Sequence, residues 1–137
     1  MAGSTRSPGG AKTVLIVDDS ASVRKLIELT LRREGYDLVM VDSGLAALAA
    51  LAENEPDLLL LDLMLVALDG FQLCAAIRRH PRFARLPIIM LTGRESEADR
   101  QAGFAAGVNA YLTKPFRPED LLNAVRQHLG TSVGIAR

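Results

Sequence analysis

The sequence predicts an α/β protein: a doubly wound sheet of five parallel strands, flanked by five helices. Two observations support this prediction. Short apolar runs of strand length alternate five times with longer segments of helical spacing, and this alternation is typical of a parallel sheet covered by helices on both faces. The runs at 14–17 and 58–61 are also apolar at every position. Continuous apolarity is expected of strands that are buried on both sides.

The five predicted strands are separated by helices with recognisable ends. Gly35 is a residue type that commonly closes helices, and prolines at 56 and 81 stop the second and third helices. Pro118 opens the fifth, because proline is favoured in a first helical turn. The fourth helix is weaker, since Gly103 costs about 1 kcal/mol relative to alanine in a helix interior. The predicted strands cover 14–17, 38–41, 58–61, 88–91 and 110–112, and the helices cover 23–34, 45–52, 71–78, 96–106 and 118–129.

These elements favour a flavodoxin-like sheet with strand order 2-1-3-4-5. This is the strand order common to flavodoxin-like sheets. We expect one domain over residues 12–130. Residues 1–11 are rich in Gly, Ser and Pro and predict a flexible leader. Residues 131–137 predict a flexible tail or the start of a linker.

Composition excludes several classes of protein. The chain has 137 residues, of which 49% are hydrophobic and 23% charged, as in an ordinary folded domain. Lys plus Arg equals Asp plus Glu at 16 each, which argues against a broad basic surface for direct binding of nucleic acid.

A cytoplasmic location is expected by default. The opening residues lack the apolar core of a signal peptide, and the longest apolar stretch, 58–68, is interrupted by Asp62 and is too short to cross a membrane. The single cysteine, Cys74, cannot form an internal disulfide, which suits a reducing compartment.

Polar side chains follow all five predicted strands. In open α/β sheets, ligands bind beyond the carboxyl ends of the strands, so residues at these ends are candidates for a shared site. With strand order 2-1-3-4-5, Asp42 at the end of the second strand lies to the side. The residues expected to converge are Asp18, Asp19, Asp62, Thr92 and Lys114.

Three neighbouring carboxylates predict a bound cation, because they cannot all stay ionised cheaply without one. Oxygen ligands suit Mg²⁺ (or Mn²⁺), and the sequence has no His or Cys cluster for zinc. A carboxylate, a divalent ion, a hydroxyl and a lysine together are equipped for phosphoryl transfer, in which positioning and charge stabilisation supply most of the catalysis.

The motifs at these strand ends resemble those of receiver domains of two-component response regulators, including single-domain chemotaxis regulators. The resemblance covers about residues 12–130. It is carried by five motifs in order at successive strands: VLIVDDS at 14–20, LLLLDLM at 58–64, LDG at 68–70, MLTG at 90–93 and AYLTKPF at 110–116.

The resemblance implies that Asp62 is the phosphoacceptor. It would take a phosphoryl group from the phosphohistidine of a histidine kinase or a histidine phosphotransfer protein, as in a phosphorelay. Asp19 would bind Mg²⁺ directly, Asp18 mostly through water, and Met64 through its backbone carbonyl. Such a protein is not a conventional enzyme, although it catalyses its own phosphorylation and autodephosphorylation.

The resemblance also implies a switch. Lys114 would contact the phosphoryl oxygens, Thr92 would move to hydrogen-bond the phosphoaspartate, and Tyr111 would turn inward with it. The face made by the fourth helix, fifth strand and fifth helix would then bind a downstream protein. For Gly103, greater mobility of the fourth helix and simple close packing are both open. A cis peptide is expected at Lys114–Pro115.

Two further side chains are expected to set the lifetime of the phosphoryl group. Met64 lies two residues after Asp62 and Arg94 two residues after Thr92, positions that flank the path of attacking water in this family. Val66 departs from the family, which usually has proline in that loop, but the change removes no reactive group.

Other readings stay open to test. A receiver that acts as an unphosphorylated scaffold would not need the intact acidic set. An aspartate-nucleophile, metal-dependent phosphohydrolase would need a second acid where Ser20 stands. A flavin or nucleotide binder would need a phosphate loop after the first strand, where the two aspartates repel phosphate. Within the receiver class, both a stand-alone regulator and a receiver cut from a larger protein are possible.

Overall fold

The computed structural model describes residues 11–65, 68–93 and 96–129. The leader and tail predicted at the two ends of the chain lie outside the described residues, apart from Ala11. The five main strands are β1 (Thr13–Val17), β2 (Asp37–Val41), β3 (Leu58–Asp62), β4 (Ile88–Thr92) and β5 (Ala110–Thr113). The helices are α1 (Ala21–Arg32), α2 (Gly44–Asn54), α3 (Gly70–Arg79), α4 (Glu97–Ala106) and α5 (Pro118–Leu129).

The five main strands form one parallel sheet in the order β2-β1-β3-β4-β5. The predicted fold class, strand order and number of α-helices over the described residues are therefore confirmed. Two features were not predicted. One is a short 3₁₀ helix at Pro81–Phe83, and the other is a two-residue antiparallel ladder between Met64–Leu65 and Leu68–Asp69.

The core has two layers, one on each face of the sheet. Successive strand residues point to opposite faces, so Leu15 and Leu59 pack beneath α2 and α3 while Ile16 and Leu60 pack beneath α1 and α5. Every residue of β1, β3 and β4 is buried. This explains the continuous apolar runs, and it makes the central strands a rigid support for whatever follows their carboxyl ends.

Side-chain caps fix where the helices begin beside those strand ends. Ser20 caps α1 by accepting a hydrogen bond from the amide of Val23, and Asp69 caps α3 through the amide of Phe71. Such caps satisfy amides that have no partner within the helix. The first turns of α1 and α3 are therefore fixed beside the ends of β1 and β3.

Side chains of α3 form hydrogen bonds with the carboxyl end of α4 and the residues after it. The guanidinium of Arg78 donates to the carbonyl of Gly107 at 3.0 Å and to Oδ1 of Asn109 at 2.8 Å. The thiol of Cys74 contacts the carbonyl of Ala106 at 3.4 Å. Gly107 ends α4 in the left-handed conformation, with φ of 110°, which glycine adopts without steric cost. Among the described residues, no helix is long and apolar enough to span a membrane.

Candidate functional site

The strand order brings the predicted polar residues to one edge of the sheet. Asp18 and Asp19 directly follow β1, and Asp62 is the last residue of β3. Thr92 ends β4, and Lys114 directly follows β5. These four strands are adjacent, so all five residues share the rim formed by their carboxyl ends.

Three carboxylates form a compact acidic cluster on this rim. Oxygen atoms of Asp18, Asp19 and Asp62 all lie within 4.8 Å of one another. Asp18 is fully buried and Asp62 is 4% exposed, whereas Asp19 is exposed. The cluster therefore opens to solvent on the side of Asp19, and its buried side is formed by the other two acids.

Lys114 is the cation that faces the buried acids. Its Nζ donates to Oδ2 of Asp18 at 2.8 Å and lies 3.4 Å from Oδ1 of Asp62. Among the residues that the structure describes, this one ammonium group balances one of three carboxylates, which leaves a deficit of two positive charges within that set. An all-oxygen cluster with this deficit fits Mg²⁺, which prefers carboxylate ligands and retains several waters.

Backbone amides hold the same two acids in place. Oδ1 of Asp18 accepts a hydrogen bond from the amide of Ser20 at 2.8 Å. Oδ1 of Asp62 accepts one from the amide of Met64 at 3.2 Å. Each carboxylate is thus oriented by the residue two positions further along, where the chain leaves its strand.

The pKa values of Asp62 and Lys114 are both raised at this site. Burial, and then the neighbouring charge of Asp18, raise the pKa of Asp62, and the opposing effects of Lys114 and the Met64 amide are smaller. Burial alone would lower the pKa of Lys114, but its contacts with Asp18 and Asp62 outweigh burial and raise the pKa. Lys114 therefore keeps its positive charge, while the site disfavours the ionised form of Asp62.

Arg24 contributes a contact that the sequence did not indicate. Its Nη1 donates to the backbone carbonyl of Asp18 at 2.6 Å, so the first turn of α1 fixes the residue that leaves β1. Arg24 also lines a cleft of about 360 Å³ that contains Asp42 and Glu53. As predicted, Asp42 lies to the side of the acidic cluster, in this separate cleft.

Close contact with the backbone of Asp62 and Leu63 explains why a glycine, Gly70, stands at the start of α3. A Cβ at Gly70 would lie 2.8 Å from the carbonyl oxygen of Asp62 and 2.8 Å from the Cα of Leu63. The amide of Gly70 donates to the carbonyl of Leu63 at 2.9 Å. Helix α3 therefore starts directly against the backbone of Asp62, and only glycine permits that approach.

Thr92 and Tyr111 lie on neighbouring strands beside the acidic cluster. Thr92 is 1% exposed, and its carbonyl accepts from the amide of Lys114 at 2.7 Å. Tyr111 is half-buried, and its ring faces α4. The expected cis peptide at Lys114–Pro115 is present.

Of the two residues predicted to set phosphoryl lifetime, the structure describes Met64 but not Arg94. Met64, two residues after Asp62, is 61% exposed, and its role stays a prediction. Arg94 lies outside the described residues, as does Val66.

Comparison with known proteins identifies the class. The family model described as response regulator receiver domain matches residues 14–126. Protein PilG of Pseudomonas aeruginosa is 37% identical over 116 residues, which cover 85% of this chain and 86% of PilG. These matches place the protein in two-component signalling. The chain belongs to the response regulator receiver family.

Two further similarities bear on the site and on the length of the chain. The receiver domain of sensor histidine kinase PA1611 from P. aeruginosa, solved with a magnesium ion coordinated in its active-site cleft, has a TM-score of 0.80 at 32% identity, covering 88% of this chain and 99% of that one. Transcriptional regulatory protein GltR of P. aeruginosa is 44% identical over 115 residues, or 84% of this chain. The chain spans about half of GltR, 48% of its length.

Gly70→Ala should lower the free energy of unfolding by about 1–3 kcal/mol, the range for an overpacked site. The added methyl group would meet backbone atoms of Asp62 and Leu63, which cannot rotate away. Gly93→Ala is the matched control, since its Cβ would lie 3.9 Å from the nearest atom, the carbonyl oxygen of Lys114. Urea denaturation measures both variants. Equal losses in the two variants would contradict the close contact at Gly70.

Without a metal ion, Asp62→Asn should raise the free energy of unfolding near neutral pH by about 0.5–2 kcal/mol, as for other relieved functional sites. A raised pKa means that the folded state binds the proton more tightly than the unfolded state. The stability linked to that proton is present below the ordinary aspartate pKa of about 3.9 and is lost as the pH rises through the folded pKa. The advantage of the variant should therefore shrink as the pH falls toward 4.

Asp42→Asn is the control for this effect, because Asp42 is an exposed acid outside the cluster. It should change stability by less than about 0.5 kcal/mol. Added Mg²⁺ should stabilise the wild type and not Asp62→Asn, since a ligand that binds only the folded state adds to its stability. If Asp62→Asn is less stable than the wild type at pH 7 without metal, the charge of Asp62 does not destabilise the folded state, and this explanation is wrong.

Proposed function

We propose that this receiver domain accepts a phosphoryl group on Asp62 from a phosphohistidine of a histidine kinase or histidine phosphotransfer protein. The observation that carries the proposal is the contact of Lys114 with both Asp18 and Asp62 at the carboxyl ends of β5, β1 and β3. The amide of Met64 holds Asp62, and burial together with the charge of Asp18 raises the pKa of its carboxyl group. A carboxylate in this state is ready to share its charge with an incoming electrophile.

Magnesium, or manganese, is the proposed cofactor. The residues that would hold it are Asp19 directly, Asp18 mostly through water, Asp62, and the backbone carbonyl of Met64. When bound, the ion neutralises carboxylate charge and stabilises charge on the phosphoryl oxygens. The compact oxygen cluster and the magnesium ion in the receiver domain of PA1611 support this assignment.

In the proposed transfer, a carboxylate oxygen of Asp62 attacks the phosphorus atom of the phosphohistidine. The phosphorus–nitrogen bond breaks, the imidazole leaves with the bonding electron pair, and an acyl phosphate forms on Asp62. Lys114 contacts the phosphoryl oxygens and stabilises their charge. Its position within reach of Asp62 supports this role. Later attack by water on the acyl phosphate releases inorganic phosphate, which is the proposed autodephosphorylation.

The proposed switch begins at Thr92. Its hydroxyl moves to hydrogen-bond the phosphoaspartate, and Tyr111 turns inward in response. The two residues lie on adjacent strands, with Thr92 opposite Thr113 and Met90 opposite Tyr111. The face made by α4, β5 and α5 then favours one of two arrangements, and a downstream protein binds that arrangement.

We propose domain boundaries of 12–130 for the receiver, which enclose the matched residues 14–126. The alternative role, an unphosphorylated scaffold, finds less support. The acids, hydroxyl and lysine that phosphorylation requires are all brought together on one rim.

Incubation with a small phosphodonor such as acetyl phosphate should add one phosphoryl group in the presence of Mg²⁺. Intact mass spectrometry detects the adduct, and lability at alkaline pH or to hydroxylamine identifies an acyl phosphate. Chelation of the metal should reduce the yield severely, because the acidic cluster would then repel the donor. Lys114→Ala should slow the reaction by a factor of about 10²–10³, the range for loss of one stabilising group at the reacting oxygens.

Two variants make this experiment specific. Asp62→Asn should give no adduct, and Asp42→Asn, an acid in the separate cleft, should behave as the wild type. An adduct that forms without a divalent metal, or that persists in Asp62→Asn, would rule out the proposed chemistry.

Substitution of Met64 or Arg94 should change the rate at which the acyl phosphate decays. A smaller side chain at Met64 should admit water more readily and shorten the lifetime, with little effect on stability because Met64 is 61% exposed. Decay of the isolated phosphoprotein, followed by mass spectrometry, measures the lifetime. Leu29→Ala is a suitable control, since Leu29 is another exposed apolar side chain, on α1. An unchanged decay rate in both the Met64 and the Arg94 variants would refute these roles.

A further inference from the structure

The ring of Tyr111 occupies a notch in helix α4 at Gly103. A Cβ placed on Gly103 would lie 2.6 Å from Cζ of Tyr111, and closer still to Cε1 and to the hydroxyl oxygen. Gly103 is buried inside the helix. The tyrosine therefore fills the space that any other residue at position 103 would need for its side chain.

Three contacts hold the ring against the same helix. Its hydroxyl donates to the carbonyl of Asp99 at 2.6 Å, one helical turn before Gly103. The ring of Phe104 lies 5.8 Å away between centroids, in a tilted arrangement. The guanidinium of Arg100 lies 5.4 Å from the ring centroid of Tyr111, within the range of a cation–π contact. All of these partners belong to α4.

The helix and the ring differ in how easily each can yield. The carboxyl end of α4 is fastened to α3 by Cys74 and Arg78. The atoms of Tyr111 that meet the notch are at the free end of its side chain, and they can leave by rotation about the side-chain bonds. An added methyl group at position 103 would therefore displace the ring rather than the helix.

Glycine in a helix interior is also intrinsically unfavourable compared with alanine. The notch gives a specific physical reason for glycine here, because the close approach of Tyr111 requires it. The sequence left two explanations open for Gly103, a mobile helix and close packing. These contacts favour close packing. The residue packed against Gly103 is Tyr111, which is also the proposed switch residue.

We propose that Gly103 is a positioning residue that holds Tyr111 in its packed rotamer against α4, with the hydroxyl on the Asp99 carbonyl. Replacement by alanine expels the ring and removes that hydrogen bond, whether or not Asp62 is phosphorylated. The placement of the ring stands on these contacts alone. Its consequence for the output face rests on the proposed function of Tyr111.

The first test measures the exposure of Tyr111 directly. The chain has two tyrosines and no tryptophan, so a Tyr36→Phe background leaves Tyr111 as the sole tyrosine fluorophore. Acrylamide quenching should rise in Gly103→Ala toward the value for free tyrosine amide. Ala102→Gly, an exposed position on the same helix, controls for a change in helix propensity alone and should leave quenching unchanged. Equal quenching with and without Gly103→Ala would overturn the proposal.

The second test is a double-mutant cycle followed by thermal unfolding. With Tyr111→Ala, the notch is empty, and Gly103→Ala should raise the melting temperature because alanine is the better helix former. With Tyr111 present, the same substitution should raise it less or should lower it, because the ring loses its contacts. Equal shifts in the two backgrounds would show that residues 103 and 111 are not coupled, and the proposal would fail.

Measuring Tyr111 quenching before and after phosphorylation tests the role of Gly103 separately from the proposed function of the domain. In the wild type, phosphorylation of Asp62 should change the quenching of Tyr111, and in Gly103→Ala that change should be lost while the yield of acyl phosphate is retained. A protein that accepts no phosphoryl group would refute the proposed function, and quenching with the mutant cycle would still decide the role of Gly103. A phosphorylation-dependent change that persists unaltered in Gly103→Ala would refute the regulatory role of Gly103.

Discussion

Three carboxylates within 4.8 Å of one another, which Lys114 opposes with one positive charge, are the constraint on which the rest of the structure depends. Like charges at this separation repel, and burial of Asp18 and Asp62 strengthens the repulsion by excluding water. The fold holds the two buried carboxylates, Asp18 and Asp62, in place through the backbone. The strands end at these residues, amides two positions further along bind their oxygens, and Arg24 holds the carbonyl of Asp18.

The buried strands that carry the acidic cluster are rigid, whereas the side chain of Tyr111 beside α4 is able to rotate. The buried strands β1, β3 and β4 hold the acidic cluster and Thr92 in place, and α3 starts so close to Asp62 that glycine is required at position 70. On the other side of Thr92, the ring of Tyr111 on β5 packs against α4 at Gly103. Under the proposed function, rotation of this ring carries a change at Asp62 toward the surface.

The sequence was sufficient for the sheet and for the acidic cluster, because both follow from local patterns. Apolar runs specified the strands, and the order of βα units brought Asp18, Asp62 and Lys114 to the same rim. The contacts of Arg24, Gly70 and Gly103 could not be predicted in this way. Each depends on the distance in space between an element and its neighbour along the chain, such as α4 and β5, and periodicity carries no information on that distance. Gly103 was ambiguous for this reason: its helix propensity was visible, but its neighbour Tyr111 was not.

A crystal structure of the protein with Mg²⁺ and beryllium fluoride, a mimic of the phosphoryl group, tests the central claim most directly. We predict a metal ion at about 2.0–2.1 Å from oxygen atoms of Asp19, Asp62 and the carbonyl of Met64, with the fluoride adduct on Asp62 in contact with Lys114. The ion would make good the charge deficit that the three carboxylates create. A metal ion bound away from this cluster, or an adduct on another residue, would contradict the account.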